Sequence, residues 1–98
     1  MYYVYMLRCE DNSLYTGITT DVKRRFSEHK DGGIKGAKYT KLHKPICVAA
    51  AFEVADKSDA LRLEARIKKL TKEAKENLIA DKRDISVLCD IEIKQIFI

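Results

Sequence analysis

Five polar side chains at unusual positions in this sequence could do chemistry if the fold brought them together. They are two phenols, a guanidinium, an imidazole and a carboxylate: Tyr5, Tyr15, Arg25, His29 and Glu64. Phenols and imidazoles can transfer protons, a guanidinium can stabilise developing negative charge, and a carboxylate can hold a divalent cation. The elements that carry them decide whether they can share one site.

The two phenols lie on a predicted β-hairpin. Residues 2–9 are apolar or aromatic at nearly every position, which is typical of a central strand covered on both faces. In the second arm, residues 14–19, Tyr15 shares a face with Gly17, and a glycine inside a strand often marks a close approach. We expect an open groove beside the Tyr15 phenol, with ordinary strand aromatics as the alternative.

The turn at residues 10–13 decides whether Tyr5 and Tyr15 lie on the same face of the sheet. A two-residue loop at Asp11 and Asn12 puts them on opposite faces, whereas a three-residue loop through Ser13 puts them on the same face. Both loops are compatible with the residues.

A short predicted helix carries the guanidinium and the imidazole. Val22 and Phe26 define its inward face, and Arg25 and His29 border that face at helical spacing. Charge at such an edge is costly unless it is paired or faces a cleft. The alternative is that Arg25 extends along the surface to water while His29 makes a local hydrogen bond.

Glu64 lies on a second predicted helix, at the edge of its apolar stripe. The stripe consists of Ala60, Leu63, Ile67 and Leu70. From this edge the carboxylate can face a cleft, or it can form an ordinary surface ion pair with Lys68 one turn later. A third helix, predicted over residues 72–80 after a Thr71 cap, looks structural.

Residues 31–45 are rich in glycine and lysine, a composition typical of a flexible basic loop. The residues in it that can contact nucleic acid are Lys35, Lys38, Tyr39 and Lys41. Lysines can follow a phosphate backbone while an aromatic ring stacks on a base, although a surface loop with one packed tyrosine would have the same composition.

The charge of the 98-residue chain is unevenly distributed. Residues 22–44 carry eight Lys or Arg against two acids, residues 62–75 carry six against two, and the remainder is net acidic. Two basic blocks on a small domain indicate a polyanionic partner such as nucleic acid, with a solvated lysine-rich surface as the alternative.

Composition also limits the class and location of the protein. With 46% hydrophobic and 35% charged residues, the chain is typical of one soluble globular domain. No apolar run approaches the ~20 residues that span a bilayer, and the amino terminus lacks the pattern of a secretory signal, so we expect a cytoplasmic protein without a membrane partner. The three cysteines, Cys9, Cys47 and Cys89, stand in apolar stretches and are expected to be reduced core thiols.

The remaining segments complete the sheet. Pro45 opens a third apolar strand over residues 46–54. Residues 85–98 alternate weakly, which fits either an edge strand or a hydrophobic tail that docks on the domain or on another subunit.

In order and spacing, the motifs resemble the GIY-YIG nuclease superfamily, in particular its small bacterial single-domain members related to the nuclease domain of the excision-repair incision subunit. The resemblance covers residues 2–80 and rests on Tyr3-Val4-Tyr5, Tyr15-Thr16-Gly17, Thr19, Arg25, His29, Gly36-Ala37-Lys38-Tyr39-Thr40 and Glu64-Ala65-Arg66-Ile67-Lys68. Tyr3 stands in place of the usual first glycine, and Val4 and Thr16 in place of isoleucines.

The resemblance implies an α+β fold, with a three-stranded antiparallel sheet flanked by about three helices over residues 1–82 and a short hydrophobic extension over residues 83–98. It also implies that Tyr5 and Tyr15 face one cleft, which favours the three-residue turn. The activity it implies is a metal-dependent endonuclease that hydrolyses phosphodiester bonds of nucleic acid, with DNA as the expected substrate and DNA repair as the expected setting.

The resemblance further implies a catalytic set of Tyr5, Tyr15, Arg25, His29 and Glu64. Glu64 holds one Mg²⁺ or Mn²⁺, Tyr15 accepts a proton from the attacking water, and Arg25 stabilises charge on the phosphoryl group. Two alternatives remain: a non-catalytic DNA- or RNA-binding module on the same scaffold, and a partner-binding domain that self-associates through its hydrophobic tail.

Overall fold

A computed structural model describes residues 1–31, 38–80, 85 and 88–98 of the chain. These residues form four strands and four helices in the order β1 (Tyr2–Cys9), β2 (Leu14–Thr19), α1 (Val22–Asp31), α2 (Lys38–Leu42), β3 (Pro45–Val54), α3 (Lys57–Lys68), α4 (Lys72–Ile79) and β4 (Lys94–Ile96). The strands form one antiparallel sheet in the order β2-β1-β3-β4. The expected α+β class is therefore confirmed.

The expected three-stranded sheet is wrong, because β4 adds a fourth strand. It pairs with β3, and Ile96 lies opposite Ala51 while Lys94 lies opposite Glu53. Of the two alternatives for the carboxy-terminal segment, the edge strand is the one observed. Because β4 has only three residues, the weak alternation in the sequence could not decide between the edge strand and the docking tail.

Strand β1 is covered on both faces, as its continuous apolar sequence predicts. Val4, Tyr5, Met6 and Leu7 are each at most 1% exposed. Val4 and Met6 pack in a core with residues of α3 and α4, whereas Tyr5 and Leu7 pack on the other face with residues of α1. The phenol of Tyr5 therefore lies beneath α1.

The β1–β2 register puts Tyr5 and Tyr15 on the same face. Tyr5 lies opposite Gly17, and Gly17 and Tyr15 are two residues apart on one strand. The Cys9 N–H donates to the Ser13 carbonyl at 3.0 Å, so the loop has three residues but runs over residues 10–12 rather than through Ser13. Asn12 closes it with a φ of 66°, a left-handed conformation that asparagine tolerates.

Side-chain caps fix where the helices begin. Asp21 Oδ1 accepts the Arg24 N–H at 3.1 Å at the start of α1, and Asp56 and Thr71 cap α3 and α4 in the same way. The predicted Thr71 cap and the third predicted helix are confirmed, with the helix ending one residue earlier than expected.

The expected flexible loop over residues 31–45 is wrong for residues 38–42, which form α2. The glycines that suggested a loop lie within residues 32–37, outside the described part of the chain, and α2 itself contains neither glycine nor proline. Thr40 of α2 is only 3% exposed, so this helix packs against the domain.

The expectation that all three cysteines lie in the core is wrong for Cys47, which is exposed, as is the neighbouring Ile46. A register shift of the β1–β3 pairing between Arg8 and Cys9 lies at this end of the strand. Such bulges bend a strand and re-aim its side chains, which a continuous apolar sequence does not reveal.

No helix among the described residues is long and apolar enough to span a membrane.

Candidate active site

A buried chain of hydrogen bonds joins β1, α1 and α2. Tyr5 Oη lies 2.7 Å from His29 Nε2, and His29 Nδ1 lies 2.8 Å from Thr40 Oγ1. All three residues are buried, His29 completely. A neutral imidazole has one donor and one acceptor nitrogen. In either tautomer His29 therefore donates a hydrogen bond to one of the two hydroxyls and accepts one from the other.

Burial determines the protonation states of His29 and Tyr5 in this series of hydrogen bonds. It lowers the pKa of His29 to about 4, and the positive charge of Arg25 contributes in the same direction. Burial also raises the pKa of Tyr5, helped by the negative charge that Tyr15 and Glu64 can carry and opposed by Arg25. At neutral pH the imidazole is therefore uncharged and the Tyr5 phenol keeps its proton.

Gly17 makes room for the Tyr5 ring. A Cβ atom built at this position would lie 2.6 Å from Tyr5 Oη and 2.9 Å from Tyr5 Cζ, closer than real Cβ contacts. The expected open groove beside Tyr15 is therefore wrong, because the Tyr5 phenol fills the space above the glycine. The glycine signal did indicate a close approach, but the approaching group belongs to the chain itself.

Tyr15 lies at the centre of an aromatic cluster. Its ring centroid is 6.2 Å from that of Tyr5, 5.1 Å from that of His29 and 5.6 Å from that of Tyr39. It is half-buried, unlike the fully covered Tyr5. The Tyr15 phenol is thus the more accessible of the two.

Arg25 lies at the edge of α1, where its helical position predicts it. Its guanidinium is beside the Tyr5 hydroxyl and 3.0 Å from Glu28 Oε1, and only 25% of the side chain is exposed. The guanidinium is thus paired with Glu28 and lies next to the Tyr5 phenol. A cation in this position can meet an anionic substrate next to the phenols.

Glu64 forms the ion pair that is one of the two alternatives for its position on α3. Its side chain is 18% exposed and forms the i,i+4 ion pair with Lys68 at 3.3 Å. Its carboxylate is also close enough to Tyr5 to raise the pKa of that phenol. The charge of this carboxylate therefore acts on the same phenol that His29 and Arg25 contact.

Glu64 is the candidate carboxylate for a divalent metal, and the described residues contain no group of three or more His, Cys, Asp or Glu able to hold one. A single, partly exposed carboxylate fits Mg²⁺ or Mn²⁺, because such ions keep several waters and bind through one or two carboxylates together with substrate phosphates. The donor set does not suit Zn²⁺, which takes several protein ligands.

The expected nucleic-acid contacts divide into exposed cations and a packed ring. Lys38 and Lys41 are exposed on α2, whereas Tyr39 is half-buried and packs between Tyr15 and His43. Lys35 lies outside the described residues.

Sequence reasoning gave no role to three residues at this site, Thr40, His43 and Asp11, although Thr40 ends one of the motifs that carry the family resemblance. His43 stacks on Tyr39, with ring centroids 4.2 Å apart, and its Nδ1 lies 2.5 Å from Asp11 Oδ2. The i,i+4 spacing of Tyr39 and His43 is a helical signal that would have paired them, had residues 38–42 been recognised as a helix. No local signal links Thr40 to His29 or Asp11 to His43.

Comparison with protein families identifies the family to which this fold and these clustered side chains belong. The model of the GIY-YIG catalytic domain matches residues 1–77, so the chain belongs to the GIY-YIG family, a family of nucleases. The resemblance read from the motifs is therefore confirmed.

Its relatives lie in a small single-domain bacterial branch of that family, the UPF0213 proteins. The chain is 46% identical to the UPF0213 protein FN1575 of Fusobacterium nucleatum, over 98% of each chain. It is 47% identical to the UPF0213 protein YhbQ of Salmonella typhimurium, over 89% of this chain and 85% of the relative.

A solved structure shares the fold. The solution NMR structure of the UPF0213 protein BH0048 from Bacillus halodurans is 44% identical in sequence, with a TM-score of 0.53. The match covers 84% of this chain and 86% of that one.

Proposed function

We propose that the protein is an endonuclease that hydrolyses phosphodiester bonds of nucleic acid, with DNA as its substrate and Mg²⁺ or Mn²⁺ as its cofactor. One observation carries the proposal: four side chains act on the Tyr5 phenol. His29 bonds its hydroxyl, and Tyr15 and Arg25 lie beside it. The charge of Glu64 contributes to its raised pKa. A structural role alone would not require a guanidinium beside a buried phenol that is bonded to a buried imidazole.

In this proposal the Tyr15 oxygen accepts the proton of the attacking water while its own phenol proton passes to solvent, and the oxygen that departs when the phosphorus–oxygen bond breaks takes up a solvent proton. Two observations support Tyr15 over Tyr5 as the acceptor: Tyr15 is the half-buried phenol, whereas Tyr5 is 1% exposed and has a raised pKa. Tyr5, held by His29 at 2.7 Å, orients the reacting groups as a neutral hydroxyl. His29 in turn keeps the Tyr5 hydroxyl in place and is itself fixed by Thr40.

Arg25 stabilises the negative charge that develops on the phosphoryl oxygens, since its guanidinium lies beside the phenols rather than in open solvent. Glu64 holds the cation at the rim of the site, where its ion pair with Lys68 can open because the lysine side chain is 55% exposed. A divalent cation bound there supplies Lewis-acid polarisation of the scissile phosphate.

Lys38 and Lys41 bind the phosphate backbone, with Lys35 as a third contact outside the described residues. The exposure of the first two on α2, next to the Tyr39 ring, supports this role. Phosphate contacts position a duplex or a strand without reading its sequence, so the proposed activity has little sequence preference from this surface. The proposal includes a cytoplasmic location and a role in DNA repair.

One observation favours a rival function, a non-catalytic nucleic-acid-binding module. Lys68 lies 3.3 Å from Glu64 and neutralises the only carboxylate assigned to the cation. In the rival, this ion pair persists and the basic surface binds nucleic acid without cutting it. The two functions differ in one respect, because only the first requires a divalent cation.

Incubation of purified protein with end-labelled single-stranded, duplex and branched DNA tests the proposal, in Mg²⁺, in Mn²⁺ and in chelator. We expect metal-dependent cleavage of at least one substrate, reduced ~100-fold or more by Glu64→Gln and by Arg25→Ala. Glu73→Gln is the matched control, because Glu73 is an exposed helical glutamate of α4. Cleavage undiminished in the Glu64 and Arg25 variants would refute the site, and salt-sensitive binding without cleavage would favour the rival.

A further inference from the structure

Helix α2 is too short to hold its own position. It has five residues, and isolated helices of this length are unstable in water because nucleation costs more than a few hydrogen bonds return. Its location must therefore come from contacts to the rest of the domain. This matters for the site, since α2 carries Thr40, which binds His29, and Tyr39, which packs against Tyr15.

Two contacts fasten the carboxy-terminal end of α2 to the β1–β2 turn. His43 Nδ1 lies 2.5 Å from Asp11 Oδ2, and the Glu10 N–H donates to the Lys44 carbonyl at 2.8 Å. The first contact joins residues 32 positions apart in sequence. The turn of the tyrosine hairpin and the end of α2 are thus linked by side chains as well as by backbone.

Asp11 is prepared for this contact within its own turn. Its Oδ1 accepts the Ser13 hydroxyl at 2.6 Å and the Ser13 N–H at 3.1 Å, which leaves Oδ2 for His43. The Ser13 hydroxyl and then His43 lower the pKa of Asp11 to about 2, so the carboxylate is charged at neutral pH. Fixed by two bonds from Ser13, the carboxylate holds one orientation although half of it is exposed.

His43 transmits this anchor to the phenols through ring contacts. Its imidazole stacks on Tyr39 with an interplanar angle of 19°, and the Tyr39 ring lies 5.6 Å from the Tyr15 ring at 30°. The order Asp11, His43, Tyr39, Tyr15 therefore leads from the turn to the more accessible phenol. Tyr39 makes the ring contact with Tyr15, so the effect of Asp11 and His43 on that phenol passes through Tyr39.

We propose that Asp11 and His43 form a clasp that positions Tyr39 against Tyr15, which makes His43 a positioning residue for the reaction. The expected effect on the reaction rate rests on the proposed function. The contacts that form the clasp do not depend on it. The competing explanation is an ordinary surface ion pair, since such pairs contribute little. The stack distinguishes the two, because a simple ion pair would leave Tyr39 unmoved when it is broken.

Four single variants and one double variant, Asp11→Ala with His43→Ala, test the clasp. His43→Ala removes both the bond to Asp11 and the stack, His43→Phe keeps the stack alone, and Asp11→Ala removes the anchor. Asp90→Ala is a charge-matched control at an exposed position outside the site. Each is compared with the wild type by urea unfolding, by NMR of the tyrosine rings, and by single-substrate kinetics on whichever DNA the wild type cuts.

We expect the nuclear Overhauser contacts between the Tyr39 and Tyr15 rings to weaken or vanish in His43→Ala and in Asp11→Ala, and to persist in Asp90→Ala. We expect kcat to fall about 10-fold in His43→Ala with KM changed by less than about 3-fold, because a displaced Tyr15 misaligns the reacting groups while no substrate contact is removed. His43→Phe should retain an intermediate kcat. The Asp11→Ala, His43→Ala double variant should lose no more than His43→Ala alone, since the two residues act as one unit.

Ring contacts or a kcat that stay at wild-type level in His43→Ala would overturn the clasp, as would additive effects in the double variant. If the wild type cuts none of the DNA substrates, the proposed function fails by itself. In that case the ring contacts still decide: their loss in both single variants supports the clasp, and their retention overturns it.

Discussion

The substitution Gly17→Ala tests most sharply how the phenols are packed. The added Cβ would lie 2.6 Å from Tyr5 Oη, so Tyr5 must move by about 0.8 Å to reach an ordinary contact of 3.4 Å. Tyr5 cannot yield easily, because it is 1% exposed and its hydroxyl is held 2.7 Å from His29. The alanine therefore has to break the hydrogen bond, bend β2 or both.

The expected cost follows from these contacts. Overpacking a tightly filled site costs about 1–3 kcal/mol, and loss of the Tyr5–His29 bond adds about 1 kcal/mol. Replacement of glycine restricts the unfolded chain, which offsets about 0.4–1 kcal/mol. The free energy of unfolding should fall by about 2 kcal/mol, which for a chain of this size lowers Tm by about 8–16 °C.

A double-mutant cycle identifies the cause. Tyr5→Phe removes the atom nearest the new Cβ but leaves Cζ, which would lie at 2.9 Å. Urea unfolding of Gly17→Ala, Tyr5→Phe and the double variant should therefore give a double variant that is less destabilised than the sum of the singles, by more than about 0.5 kcal/mol. Effects that add within that margin, or a Gly17→Ala protein as stable as the wild type, would refute the packing argument.

Three further outcomes follow from the structure. Thr16→Val should raise the free energy of unfolding by about 1 kcal/mol in urea titrations, since the buried Thr16 Oγ1 has no hydrogen-bond partner among the described residues. The His29 pKa is about 4 when folded against an ordinary 6.5, so its contribution to stability is complete above pH 6.5 and declines as the pH falls towards 4. It amounts to about 3 kcal/mol, and the pH dependence of urea unfolding should be correspondingly weaker in His29→Gln. Lys38→Gln with Lys41→Gln should lower the salt slope of DNA binding by about 2, as measured by fluorescence anisotropy.

Local patterns in the sequence predicted several strands and helices of the fold correctly. The continuous apolar run of β1, the stripe of α3 and the Thr71 cap each depend on local rules, and each has its predicted place. The positions of Arg25 and His29 at the edge of the inward face of α1 were equally local, because helical spacing alone determines them.

Shorter or non-local features could not be predicted in the same way. The hairpin turn admitted two loop lengths, and the choice depends on the left-handed Asn12 together with the packing of Tyr5 over Gly17. Strand β4 is too short to show a period, and α2 follows a glycine-rich stretch that masks its helical character. The bond between His29 and Thr40 exists only once α1 and α2 pack together.

The central claim is that Glu64 holds a divalent cation beside the two phenols, and paramagnetic broadening by Mn²⁺ tests it most directly. Substoichiometric Mn²⁺ added to the wild-type protein should broaden the ring resonances of Tyr5 and Tyr15 before those of Tyr2, and Glu64→Gln should abolish this selectivity. Equal broadening of all tyrosines in the wild type, or selective broadening that survives Glu64→Gln, would contradict the account.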